Sequence, residues 1–163
     1  MPKHFWPLIV LAAVGFGWVF GCPHGNFWIK ITVTVCALCT GAWRVAGVPC
    51  RRSEWRLNEV LIGVGAAILL YGIFWAGDAL AAAVFGFAPK QVEAIYAIRE
   101  LGHPWVVGAV LLLVTSPGEE LFWRGYVQGH AVLRWGSKRG FAIAALLYGA
   151  VHLVSGNVML VLA

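Results

Sequence analysis

The chain has 163 residues, of which 61% are hydrophobic and 12% are charged, and its mean hydropathy is +0.81. A soluble domain is closer to half apolar and a quarter charged, so this composition excludes an ordinary soluble protein and indicates an integral membrane protein. The net charge of +5 comes from basic residues in short connections, which is typical of membrane orientation and argues against a nucleic-acid partner.

Apolar segments separated by short polar connections predict the order of the membrane spans. We expect five spans and the beginning of a sixth, at about residues 5–20, 27–47, 59–85, 105–134, 141–154 and from 158 onward. Between the third and fourth spans, mixed charges and apolar residues at helical spacing predict a short amphipathic helix at the interface. The sequence therefore predicts an all-α polytopic bundle of five to six transmembrane helices, forming a single membrane domain over residues 1–163.

The basic residues indicate an orientation. They are concentrated before the first span, between the second and third, and between the fourth and fifth, whereas the alternate connections carry no net positive excess. The positive-inside rule then places the amino terminus in the cytoplasm. We expect a multi-pass protein of a bacterial inner membrane, in contact with the lipid bilayer.

Isolated polar residues within the spans have simple interpretations. Lys30 and Arg44 lie near the ends of the second span, where long side chains can snorkel to the interface. Cys36 and Cys39 form a CxxC without a second pair, so we interpret both as small buried hydrophobes. Asp78 in the third span favours a structural contact between helices, with the lining of a cavity as the alternative.

The residues with the clearest chemical potential form one motif in the fourth span. Here Ser-Pro-Gly precedes Glu119 and Glu120, and Arg124 follows within an otherwise apolar chain. Ionisable groups at membrane depth usually mark a functional site. Glu120 and Arg124 are one turn apart and are predicted to pair, which leaves Glu119 free. The alternative is an ordinary ion pair at the membrane boundary.

His152 lies on the next span, at a depth that can be compared with that of Glu119. Glu119 precedes Arg134 by 15 residues, and His152 follows Lys138 by 14. At 1.5 Å per residue, each lies roughly 21–23 Å from the shared basic turn. A carboxylate and an imidazole at one level are suited to activate water as a general-base pair. The alternative is a core histidine with satisfied hydrogen bonds.

Two motifs in this region resemble those of a protease family. The run Glu119-Glu120-Leu-Phe-Trp-Arg124 resembles the EExxxR motif of the CPBP intramembrane proteases (CAAX protease and bacteriocin-processing, also called Abi). The run Tyr148-Gly-Ala-Val-His152 is similar to the second motif of that family, FxxxH, with tyrosine in place of phenylalanine.

The resemblance implies an all-helical, glutamate-dependent endopeptidase of the CAAX prenyl protease type. It implies that Glu119 and His152 activate water and that Glu120 and Arg124 support the site. Its substrates would be membrane-associated peptides or proteins, with prenylated CAAX proteins as one class. We expect no cofactor, and the alternative is a zinc ion held by Glu119, Glu120 and His152.

The sequence departs from the family after its second motif. The resemblance covers about residues 107–157 of a core at about 105–163. The third family motif, HxxxN, which is associated with stabilising the oxyanion, does not occur after His152. His103 and His130 are predicted at opposite surfaces, where neither replaces it. We therefore expect a core truncated at its carboxyl end relative to the family.

This departure keeps two other functions open. A non-catalytic membrane scaffold or bacteriocin-immunity protein that retains the motifs is the main alternative to an enzyme. A small transporter that relays protons through Glu119, Asp78 and His152 is a weaker one, since no paired broken helices are evident.

Overall fold

The computed structural model describes residues 2–46 and 57–162, and these residues form helices and no strand, so the predicted all-α fold is confirmed. The helices are α1 (Phe5–Gly21), α2 (Phe27–Ala46), α3 (Leu57–Val84), α4 (Ala88–Arg99), α5 (Pro104–Trp135), α6 (Ser137–His152) and α7 (Val158–Leu162). The basic connection at 49–56 lies outside the described residues, and the orientation derived partly from it stays a prediction.

Three of these helices are long and apolar enough to cross a membrane, as judged by length and composition: α2, residues Val60–Val84 of α3, and α5. Helix α1 is apolar and has 17 residues, which is near the lower limit of about 17 for a span. Helix α6 has 16 residues. The apolar runs therefore predicted the helices themselves, while the number that crosses the bilayer remains a prediction.

Helices α1, α2, α5 and α6 pack into one bundle with a shared core of aromatic and branched aliphatic side chains. The pairs α1–α2 and α5–α6 are hairpins. Gly136 connects α5 to α6 with φ of 79°, a backbone conformation that glycine adopts without strain, so the hairpin closes in a single residue. This arrangement brings the helix that carries Glu119 against the helix that carries His152.

Helix α3 differs from the rest because its side chains are exposed along almost its whole length. It contacts α4, which in turn packs against α7. Asp78 is exposed on α3, and in the described part of the chain no hydrogen bond or ion pair joins it to another helix. The predicted structural role of Asp78 is therefore not found among these residues.

Helix α5 changes its winding around the glutamates. Leu111–Thr115 and Glu120–Gln128 are π-helical, and the α-helical turn Ser116–Glu119 lies between them. Pro117 lacks an N–H and its ring crowds the carbonyl one turn earlier, which disfavours regular α-helix there. Helix α5 accommodates this proline with π-helical turns on either side, and such turns occur frequently at functional sites.

Two of the polar side chains in α2 differ from their predicted environments. Lys30 is 5% exposed and does not snorkel: its Nζ lies 2.6 Å from the carbonyl oxygen of Cys22 and 3.5 Å from that of Trp18. The last carbonyls of a helix lack intrahelical donors, so the ammonium group caps the end of α1. Cys36 is exposed rather than buried, because it faces away from the bundle.

Candidate active site

Glu119 lies next to a close contact between α5 and α2. The preceding residue, Gly118, is so close to Val35 that a Cβ at this position would collide with the valine side chain. The half-buried Cys39 donates a hydrogen bond from Sγ to the carbonyl oxygen of Gly118, at 3.2 Å. These contacts fix the backbone next to Glu119, whose half-buried side chain lies beside Val35 and Leu38.

Glu120 and Arg124 form the ion pair that their spacing predicts, with 3.5 Å between Oε1 and Nη1. Their side chains are 59% and 54% exposed, so no other part of the described chain covers this pair. The guanidinium carbon of Arg124 also lies 5.4 Å from the centre of the Tyr148 ring, within cation–π distance. Arg124 is therefore held by a carboxylate of its own helix and by an aromatic ring of α6.

His152 is 4% exposed and packs among aromatic rings. Ring centroids lie 4.5 Å away for Tyr148, 4.8 Å for Phe16 and 5.9 Å for Phe20. Its Nδ1 is 2.8 Å from the carbonyl oxygen of Tyr148. Because a carbonyl only accepts, Nδ1 carries the proton in this hydrogen bond, and Nε2 keeps a lone pair that can accept one.

Tyr148 connects the residues that the sequence assigned to the site. Its hydroxyl group donates a hydrogen bond to Oε2 of Glu119, at 3.4 Å. Within the ranges that the structure describes, no hydrogen bond or ion pair joins Glu119 and His152 directly. The motif by itself predicts for Tyr148 only the place of a phenylalanine. The hydroxyl group that tyrosine adds is the feature of the sequence that indicates a further contact.

A cavity of about 260 Å³ lies between α5, α6 and α7, on the side of the site that carries Arg124. The residues around it are Trp123, Arg124, Gln128, Phe141, Ala144, Ala145, Tyr148, Gly149 and Val161. It is large enough for several water molecules or for a side chain of a bound peptide. Arg124, Gln128 and Tyr148 supply its polar groups, and small residues of α6 leave the space open.

His103 and His130, the two histidines considered as replacements for the third family motif, lie apart from Glu119. His103 is exposed and immediately precedes α5. His130 packs against Tyr126, with ring centroids 4.6 Å apart, and its Nδ1 is 2.7 Å from the Tyr126 carbonyl oxygen. Neither takes part in the described contacts of Glu119, and their predicted positions at opposite membrane surfaces stay a prediction. Asn157 caps α7 by accepting a hydrogen bond from the N–H of Leu160, at 3.0 Å.

The donor groups do not fit a three-ligand metal site. Among the described residues, no three side chains of His, Cys, Asp or Glu come close enough together to hold one metal ion. Glu120 is paired with Arg124, while Nε2 of His152 keeps a free lone pair. A zinc ion on Glu119, Glu120 and His152 would require the ion pair of Glu120 with Arg124 to open.

Together, the bundle and its site define a class of protein: a helical membrane protein that holds a glutamate, a histidine and a paired arginine within apolar helices. Residues 101–163 match the Rce1-like family model, whose description is type II CAAX prenyl endopeptidase Rce1-like. This match spans α5 to α7, contains both sequence motifs and confirms the resemblance to the CPBP/CAAX protease family. No curated protein and no solved structure matched the chain.

Proposed function

We propose that the protein is an intramembrane endopeptidase of the CAAX-protease type, which hydrolyses peptide bonds in membrane-associated peptides or proteins. The observation that carries this proposal is the family match over the hairpin that contains both motifs. The contacts of Glu119, Arg124 and His152 with one residue, Tyr148, support it, because they gather a carboxylate, a cation and an imidazole around one point.

Glu119 and His152 are the proposed catalytic residues. A water molecule between the Glu119 carboxylate and Nε2 of His152 gives one proton to Glu119 while its oxygen bonds to the carbonyl carbon of the peptide. The carbonyl electron pair moves to oxygen. When this tetrahedral intermediate collapses, the C–N bond breaks and the leaving amine takes the proton from Glu119. One carboxyl group and one amine result, and the glutamate returns to its starting form.

Glu120 and Arg124 have supporting roles in this proposal. Their ion pair lies along α5, and Arg124 reaches over the Tyr148 ring on the side of the cavity. A guanidinium group there can attract the electron-rich carbonyl of a bound peptide without exchanging a proton. Neither residue is needed to transfer the water proton.

The setting of the reaction is part of the proposal. Three long apolar helices indicate an integral membrane protein, and the basic connections favour a cytoplasmic amino terminus. The proposed location is a bacterial inner membrane. The proposed partners are the bilayer and a membrane-associated peptide. The mechanism requires no cofactor.

The test uses the purified full chain in phosphatidylcholine and phosphatidylglycerol vesicles. The probe is a peptide ending in a farnesylated CAAX sequence, with a fluorophore and a quencher on either side of the cysteine. We expect cleavage by the wild type, and a loss of about 10²–10⁴-fold in Glu119→Gln and in His152→Ala. Glu93→Gln, which changes an exposed glutamate of α4, is the matched control and should retain activity. Cleavage should persist in excess chelator.

The same experiment tests the main alternative. Cleavage that survives Glu119→Gln would contradict the protease proposal. Binding of the peptide without cleavage by the wild type would favour a scaffold or immunity protein. A parallel assay with the peptide that lacks the farnesyl group shows whether the lipid contributes to recognition, which would appear as a lower KM for the farnesylated form.

A further inference from the structure

We propose that Tyr148 is a positioning residue that orients both members of the Glu119–His152 pair. Its hydroxyl group contacts the glutamate, and its backbone carbonyl contacts the histidine. This inference rests on the proposed function. The contact with Glu119 uses a hydroxyl group that phenylalanine, the residue of the family motif at this position, lacks, whereas the contact with His152 uses the backbone carbonyl, which phenylalanine would keep.

The first contact orients the carboxylate of Glu119. The tyrosine hydroxyl is 3.4 Å from Oε2, and in the part of the chain that the structure describes no other side chain donates a hydrogen bond to this carboxylate. The remaining neighbours of Glu119 include the apolar side chains of Val35 and Leu38. A carboxylate among apolar groups has few directional contacts, so a single donor selects its rotamer and leaves Oε1 available for water.

The second contact orients the imidazole of His152. Nδ1–H donates to the carbonyl oxygen of Tyr148, one helical turn earlier, at 2.8 Å. The two rings are also packed together, with centroids 4.5 Å apart. The hydrogen bond selects the tautomer in which Nε2 accepts, and the ring contact limits rotation of the imidazole. Any displacement of Tyr148 therefore moves both proposed catalytic groups together.

The Tyr148 ring is itself held from α5. Trp123 packs against it edge to face, with centroids 5.4 Å apart, and the Arg124 guanidinium carbon lies 5.4 Å from its centre. The ring also forms part of the wall of the 260 Å³ cavity. Tyr148 thus lies between the cavity in which a peptide would bind and the Glu119 carboxylate that would activate water. A residue in this position can set the distance between the peptide and the carboxylate.

Tyr148→Phe isolates this role because it removes one oxygen atom and keeps the ring, its packing and the backbone carbonyl. The matched control is Tyr126→Phe. Tyr126 is a 2% exposed tyrosine of α5 whose hydroxyl has no hydrogen-bond partner among the described residues. Removing that hydroxyl deletes an atom of the same kind from a more deeply buried ring that makes no hydrogen bond to Glu119.

The experiment measures kcat and KM for cleavage of the farnesylated peptide in vesicles, together with thermal unfolding. For Tyr148→Phe we expect kcat to fall about 10- to 100-fold, KM to change by less than about twofold, and Tm to stay within about 2 °C of the wild type. Tyr126→Phe should keep the wild-type kcat. In a Glu119→Asp background, whose shorter carboxylate withdraws from the hydroxyl, Tyr148→Phe should lower kcat by less than about twofold further.

The outcomes separate this inference from the proposed function. If the wild type cleaves, Glu119→Gln does not and Tyr148→Phe retains full kcat, the role of Tyr148 is refuted and the protease proposal stands. Full additivity of Tyr148→Phe with Glu119→Asp also refutes it, because the tyrosine would then act independently of the glutamate. If the wild type itself does not cleave, the proposed function fails and the inference that rests on it fails with it.

Discussion

Gly140 of α6 lies directly against the backbone of Val132 in α5: a Cβ at Gly140 would be 2.5 Å from both N and Cα of Val132. Backbone atoms cannot rotate away as a side chain can, so the two helices approach this closely only because residue 140 has no side chain. We predict that Gly140→Ala destabilises the hairpin by about 1–3 kcal/mol. The measurement is thermal unfolding of the purified protein, followed by circular dichroism.

The control for this prediction is Gly129→Ala in α5, where a Cβ would meet nothing within 4 Å. Alanine is the better helix former, so this change should leave stability unchanged or raise it by up to about 1 kcal/mol. Equal Tm values for the two variants would contradict the inferred contact between Gly140 and Val132.

Gly118 and Val35 form the corresponding contact between α5 and α2. We predict that Gly118→Ala costs about 1–3 kcal/mol and lowers peptide cleavage, because the added methyl group pushes α5 away from α2 next to Glu119. Val35→Ala should partly restore stability in the double variant, since it removes the atoms that collide. Gly108→Ala, in open space on the same helix, is the control. Additive losses in the double variant would disprove the collision.

Lys30 stabilises the end of α1 by donating to the carbonyl oxygens of Cys22 and Trp18. Replacement by methionine keeps most of the apolar length of the side chain and removes the donors, so Lys30→Met should lower the unfolding free energy by about 1.5–3 kcal/mol. Lys90→Met, at an exposed position of α4, should have little effect. Denaturant unfolding in mild detergent measures both variants. Equal stability of Lys30→Met and the wild type would show that the two hydrogen bonds of Lys30 do not stabilise the end of α1.

Asn157 links α7 to α4. Its Nδ2 donates to the backbone carbonyl of Gln91 at 2.8 Å, while its Oδ1 caps α7. Asn157→Ala removes both interactions and should cost about 1–2 kcal/mol, which corresponds to about fivefold to thirtyfold faster amide exchange in α7. Hydrogen–deuterium exchange with mass spectrometry measures this change, with the exposed Asn58→Ala as the control. Unchanged protection of α7 would show that packing alone holds it.

Local patterns in the sequence predicted most of the helices and one contact of the site. The apolar runs and the turn residues between them predicted helices that begin at or near Phe5, Phe27 and Val158, because helix boundaries depend on residues within a turn or two. The ion pair of Glu120 with Arg124 was predictable for the same reason, since the i,i+4 spacing places the two side chains on one face of a single helix.

The tertiary structure decided which side chains meet across helices. The π-helical turns of α5 change the direction in which every later side chain of that helix points, so regular helical spacing could not show that Tyr148 would reach Glu119. The burial of Lys30 depends on where α1 ends, and the exposure of α3 depends on how the other helices fill the bundle. Composition and spacing determine the helices and their polar residues. The partners of those residues follow from packing, because contacts between helices depend on rotation and close approach that no single segment encodes.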